Sequence, residues 1–226
     1  MFEKKPQLIR DKVNNLARES LDRNDPSWWF DVLYEDANDD PTQVPWAKMQ
    51  SHPYFQDWLE HLTDIDRTAS VLVIGCGLGD DAQALKEKGF ENITAFDISP
   101  KAISWCQKRF PDSTVNYVVA DLFKLDSSWQ SRFDFVYECR NIQALPLNVR
   151  KEIIGNIARL VADQGKLLVI DRLRPTETPT EGPPWALSQS EFDSFHEYGL
   201  QTIKVDRFDE GENQEVTNLR VEYRRK

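Results

Sequence analysis

The sequence predicts an α/β fold in which a mostly parallel sheet closes on an antiparallel hairpin, preceded by a helical segment. Three observations carry this. From residue 70 onward, short apolar runs alternate with amphipathic stretches, the pattern of strands covered by helices on both faces. Two late strand-like runs flank a short polar turn, which marks a hairpin. Residues 1–67 are instead rich in Trp, Asp and Pro and poor in β-branched runs.

Leu8, Ile9, Val13, Leu16, Ala17 and Leu21 follow helical spacing and predict an amphipathic helix over about 6–23. Trp28, Trp29 and Phe30 lead to a loop over 36–45 that is dense in Asp, Asn and Pro. Pro53 suits the first position of a second helix, where its missing N–H costs nothing. Phe55, Trp58, Leu59 and Leu62 form its inner face. Residues 71–74 are a first strand ending at glycine, and 81–88 a helix ended by Gly89. Residues 93–96 are a second strand. Ser99 and Pro100 then cap and open a helix to about 110. Strands follow at 115–120 and 133–137, with Trp129 at the end of a short helix between them. A helix over 146–162 carries Val149, Ile153, Ile154, Ile157, Leu160 and Val161 on its apolar side, and 166–170 is the fifth strand. A loop with Pro175, Pro179, Pro183 and Pro184 leads to a short helix at 190–197. The hairpin pairs 200–208 with 217–223 around a turn at 209–215.

At 226 residues the chain is one domain with an extension. We divide it into a helical extension or lid, 1–67, and a main domain, 68–226. Lys and Arg number 28 against 38 Asp and Glu, a net charge of -10. Nucleic-acid affinity rests on neutralising phosphates, so that balance argues against a nucleic-acid partner. A mean hydropathy of -0.59 reads as soluble and globular. No stretch approaches the roughly 18 apolar residues of a membrane span. The first residues form no apolar signal. Cys76, Cys106 and Cys139 form no C-x-x-C pair, so neither a disulfide framework nor a metal site is expected, and the expected setting is reducing and cytoplasmic. Oligomeric state is not indicated.

Chemistry concentrates at strand ends. In VLVIGCGLGDD, residues 71–81, Gly75, Cys76, Gly77 and Gly79 lie between a strand and a helix, where glycines let backbone approach a ligand. Asp97, 22 residues after Gly75, ends the next strand beside Ile98, where a carboxylate accepts ribose hydroxyls. Asp121 after the third strand is placed for an adenine amine, with Leu122 or Phe123 on the ring. The spacing is G-x-G-x-G, and Asp80 and Asp81 follow it. Two carboxylates there repel a pyrophosphate but tolerate a ligand with an ammonium and a sulfonium. That ligand is S-adenosylmethionine.

Residues 70–171 resemble a class I S-adenosylmethionine-dependent methyltransferase: IGCGLG, AFDIS, VADLF and FDFVYE stand where that family has its cofactor motifs. The resemblance implies a Rossmann-like seven-stranded sheet with cofactor at the carboxyl ends of its strands. The position two before the first motif glycine, acidic in many members, is Val73 here. GCGLGDD and the aromatic-rich N-terminal segment are similar to the thiopurine and halide methyltransferase-like branch.

Trp29 and Trp46 occupy loop-like sequence, either pinning the N-terminal helices or lying over the sulfonium, which an aromatic face attracts. Trp185 lines the acceptor side or anchors the proline loop. Glu138 is a base, a cofactor contact, or a hydrogen-bonding strand-end residue. Arg140 binds an anionic acceptor or pairs with Glu138 or Asp81. Cys139 is expected to be inert. His52, His61 and His196 are expected on the surface or satisfied. YECRN stands where base-modifying amino-methyltransferases carry Asp/Asn-Pro-Pro-aromatic, which again disfavours a nucleic-acid acceptor. The expected activity is methyl transfer from S-adenosylmethionine to a small-molecule nucleophile. A noncatalytic S-adenosylmethionine-binding protein is the alternative, and an NAD-dependent oxidoreductase the less favoured one.

Overall fold

The computed structural model describes residues 7–178, 182–211 and 215–226. Its strands are β1 Ser70–Ile74, β2 Asn92–Asp97, β3 Asn116–Val119, β4 Phe133–Cys139, β5 Val161–Leu173, β6 Leu200–Glu210 and β7 Val216–Arg225. They form one seven-stranded sheet in the order β3-β2-β1-β4-β5-β7-β6. The first five strands are parallel, and β7 runs antiparallel between β5 and β6. This is the expected Rossmann-like sheet with its closing hairpin.

The helices are α1 Gln7–Asp22, α2 Trp28–Ala37, α3 Pro53–Glu60, α4 Asp80–Glu87, α5 Pro100–Arg109, α6 Arg150–Leu160 and α7 Gln189–Asp193. Strand side chains alternate between the two faces, and both faces are covered. Leu72, Ile74, Val136, Leu167 and Val169 pack with Ile153, Ile154 and Ile157 of α6. Val71, Val73, Phe135, Leu168 and Ile170 pack with Phe55 and Trp58 of α3 and Leu85 of α4. Because neither face of the central strands meets water, they read in sequence as apolar runs, whereas the edge strands β3 and β6 are more exposed. A third cluster joins Val13 and Ala17 of α1 and Trp29, Leu33 and Tyr34 of α2 to Leu78, Ala102 and Trp105. It fastens the N-terminal helices to α5 and to the turn after β1.

Several boundaries differ from expectation. Trp29 lies in α2, because Trp29, Leu33 and Ala37 recur at helical spacing on one buried face. Residues 147–149 form a 3-10 turn before α6, and Val161 already belongs to β5. The helix at 190–197 divides into α7 and a 3-10 turn, Ser194–Tyr198. Its start is a capping box: Ser188 Oγ accepts from Glu191 N–H at 3.2 Å, and Glu191 Oε2 accepts from Ser188 N–H at 2.7 Å. Part of the hairpin turn, Pro179 of the proline loop and the first residue of the helix expected over 6–23 lie outside the described residues. No helix among the described residues is long and apolar enough to cross a membrane.

Candidate active site

The carboxyl ends of β1, β2 and β4 open into one cavity, and the turns that follow them build its floor. After β1 the chain reverses through Gly75 and Gly77, at φ +53° and +55°. This is the left-handed region that favours glycine. A Cβ on Gly75 would collide with Asn141 Oδ1, and one on Gly77 would lie 3.3 Å from Tyr34 Oη. Gly75, Cys76 and Gly77 line the cavity with bare backbone. Gly79 does not. A Cβ there would lie 2.7 Å from Tyr117 Oη and 3.1 Å from Cys106 Sγ, so its glycine serves close packing. That corrects its expected place among the cofactor contacts.

Asp97 is tied directly to this turn. Its Oδ2 accepts from Gly77 N–H at 2.9 Å, and its Oδ1 from Ser99 N–H at 3.0 Å. Each oxygen keeps a further lone pair. Burial raises its pKa to about 6 against those two hydrogen bonds, and Asp31 adds to the rise. Ser99 Oγ donates to Asp31 at 2.5 Å and also accepts from Ala102 N–H, capping α5. Ile98, Asp121, Leu122 and Phe123 line the same side of the cavity. Asp121 Oδ1 accepts from Phe123 N–H at 2.9 Å, which holds its carboxylate at the turn.

The two acidic residues opening α4 are not free charges. Arg109 grips Asp80 with two bonds of 2.7 and 2.9 Å. Asp81 accepts from Ser51 Oγ and His52 N–H, both at 2.7 Å, and from Tyr137 Oη at 3.0 Å. Burial pushes the Asp81 pKa up. Their charge is therefore largely answered by protein, and the electrostatic repulsion expected from them is overstated.

An aromatic wall faces this floor. Trp29 stacks on Phe30 at 4.1 Å, and Trp46 meets Trp29 edge-on at 5.8 Å. Trp46 Nε1 donates to Tyr34 Oη at 2.7 Å. All four rings line the cavity. Phe30 and Tyr34 were not singled out from the sequence, although their mutual spacing of four residues was available as a signal.

The side of the cavity expected to take the acceptor carries cations. Arg140 lines the cavity, and its Nε and Nη1 are buried without a protein partner, so it pairs with neither Glu138 nor Asp81. Lys48 and His52 line it too. His52 is partly buried and hydrogen-bonded, in line with the expectation of a satisfied residue. Burial, then Arg140 and Lys48, lower its pKa to about 3. Its Nδ1 accepts from Tyr54 N–H at 3.3 Å.

Glu138 and Trp185 are corrections. Glu138 is 0% exposed and does not line the cavity. Its Oε1 accepts from the N–H groups of Asn141, at 2.7 Å, and Ile142, at 3.0 Å. It thereby shapes the turn after β4 rather than facing a ligand. Trp185 belongs to the buried N-terminal cluster. Its backbone N–H donates to Gln143 O at 2.7 Å, and the cavity reaches its neighbour Pro184 instead. Cys139 lines the cavity, with its thiol held neutral by burial. No group of three or more potential metal ligands occurs among the described residues.

A family model described as Thiopurine S-methyltransferase (TPMT) matches residues 39–224. The probable thiopurine S-methyltransferase of Yarrowia lipolytica is 24% identical over 187 residues, covering 74% of this chain and 81% of the relative. The thiopurine S-methyltransferase of Vibrio parahaemolyticus is 26% identical over 164 residues, covering 66% and 75%. Among solved structures, the N-methyltransferase NodS of Bradyrhizobium japonicum, in complex with S-adenosylhomocysteine, superposes with a TM-score of 0.65 at 18% identity, covering 86% of this chain and 96% of that one. The 1,6-didemethyltoxoflavin-N1-methyltransferase of Burkholderia thailandensis gives 0.64 at 16% identity, covering 88% and 90%. These likenesses establish the shared fold.

Proposed function

This chain belongs to the thiopurine S-methyltransferase family and is an S-adenosylmethionine-dependent methyltransferase, and from that premise we propose that it methylates a small-molecule nucleophile that enters as an anion. The observation that carries the reading is the bond from Gly77 N–H to Asp97, which puts a ribose acceptor and a bare backbone turn on one surface. The residues fit the cofactor. A side chain at Gly77 would crowd Tyr34, and its absence leaves that surface open. Asp97 holds the ribose hydroxyls. Asp121 takes the adenine amine, and Leu122 and Phe123 cover the ring. When bound, S-adenosylmethionine supplies an electrophilic methyl group on a sulfonium. Trp29 and Trp46 present aromatic faces to that cation, an attraction of about 0.5–2 kcal/mol. The segment from Ser27 to His52 caps the site and excludes water from it.

Among the described residues, no side chain on the acceptor side is suited to remove a proton. Glu138 is turned away. Asp81 already accepts three hydrogen bonds, and His52, with a pKa of about 3, is a weak base. Arg140 and Lys48 instead favour a negative charge. Orientation then supplies most of the rate, since aligning nucleophile, methyl and sulfur contributes about 7–11 kcal/mol. Net charge of -10 supports a small acceptor over a nucleic acid, and three free cysteines accord with a cytoplasmic setting.

Methyl-labelled cofactor offered with a panel of thiols, halides, phenols and amines across pH tests this. Label should pass to acceptors in proportion to their ionised fraction. Equal transfer to neutral amines would contradict an anionic acceptor.

A further inference from the structure

We propose that Tyr34 is a cofactor-binding residue whose hydroxyl donates to a ribose hydroxyl of bound S-adenosylmethionine, and that Trp46 orients it. The proposal rests on the reading that Asp97 holds the ribose.

Tyr34 is 1% exposed, yet its ring lines the cavity. The indole N–H of Trp46 is a donor only. Its 2.7 Å bond to Tyr34 Oη therefore makes the tyrosine oxygen the acceptor. The Tyr34 O–H must then point elsewhere, and among the described residues no acceptor receives it. A buried hydroxyl proton without an acceptor is uncommon, because leaving it unpaired is costly.

Its position indicates the missing partner. Tyr34 Oη lies 3.3 Å from the point a Gly77 Cβ would occupy, and the Gly77 N–H is bonded to Asp97. Burial first, and then the charge of Asp97, raise the Tyr34 pKa, so the phenol keeps its proton. A ribose hydroxyl placed here donates to Asp97 and needs a donor for its own oxygen. Tyr34 supplies one. The result is a directed chain from Trp46 N–H through Tyr34 O–H and the ribose O–H to the Asp97 carboxylate, in which each bond polarises the next. Trp46 touches the tyrosine rather than the ribose, so in this chain it is a positioning residue.

Calorimetric titration of wild type and Tyr34→Phe with S-adenosylhomocysteine and its 2′-deoxy and 3′-deoxy analogues tests the assignment. Tyr34→Phe should weaken S-adenosylhomocysteine about 2- to 12-fold, the loss of one neutral hydrogen bond. It should leave unchanged the affinity for whichever deoxy analogue lacks the contacted hydroxyl. Trp46→Phe, which keeps a ring but removes the N–H, should show a smaller loss with the same dependence on that hydroxyl, and it carries the comparison if Tyr34→Phe does not fold. Unchanged affinity in Tyr34→Phe, or equal losses for all three ligands, overturns the proposal. Wild-type protein that binds no S-adenosylhomocysteine overturns the underlying reading as well.

Discussion

Asp97 is set to titrate in a range where enzymes work. Burial brings its pKa to about 6, above the ordinary carboxylate value, because the charged form is poorly solvated. In the proposed role ribose hydroxyls donate to the ionised form, so binding would favour the carboxylate and draw the pKa down. As pH falls through about 6 the free protein takes up a proton at Asp97, and cofactor affinity should weaken. Above that pH it should be level. Asp97→Asn should lower affinity about 10- to 100-fold at neutral pH and remove this acid limb. Titrations with S-adenosylhomocysteine between pH 5 and pH 8, chosen to bracket about 6, would show both effects. An acid limb that persists in the variant would assign it to another group.

The turns after the strands divide the work between ligand and scaffold. Glu138 and Asp97 both end β-strands, and sequence position alone treats them alike. In the fold Asp97 lies against the glycine turn, whereas Glu138 folds back on the N–H groups of Asn141 and Ile142. Removing it in Glu138→Ala should cost about 1–3 kcal/mol for each buried donor left unpaired. Glu138→Gln retains an acceptor oxygen and should keep both stability and the pH profile of methyl transfer. Denaturant melts and a pH–rate profile check these outcomes, and a collapse of activity in Glu138→Gln with stability intact would restore its role as a base.

These contrasts show what could be read beforehand. The central parallel strands were legible because β1 and most of β2, β4 and β5 are buried on both faces and so carry apolar runs, while the edge strand β3 is more exposed. The glycine turn and Asp97 were legible because backbone approach and a strand-end carboxylate impose strict local chemistry. Trp29 was placed in a loop because its helix has no side-chain cap bond, and tertiary burial of Trp29, Leu33 and Ala37 supplies its order instead. The place of His52 at the cavity is fixed by its N–H bond to Asp81, 29 residues away in sequence, so no local pattern announces it.

Across the whole molecule, function rests on joining an N-terminal aromatic segment to the carboxyl edge of a sheet. The cluster of α1, α2, Leu78 and Trp105 makes that segment part of the same buried structure as the cofactor turn. The hairpin reaches the site from the other side: Arg220 on β7 donates to Tyr54 O and to Asp57 of α3, as well as to Asp206 of β6. Helix α3 follows His52, so the wall of the cavity at His52 is braced by the last strands of the chain.

Calorimetric titration of the wild-type protein with S-adenosylhomocysteine and, separately, with NAD bears most directly on this arrangement. S-adenosylhomocysteine should bind one molecule per chain, and NAD should not compete with it. Binding of NAD in its place, or no binding of S-adenosylhomocysteine at all, would contradict a glycine turn and Asp97 that grip an adenosyl sulfonium.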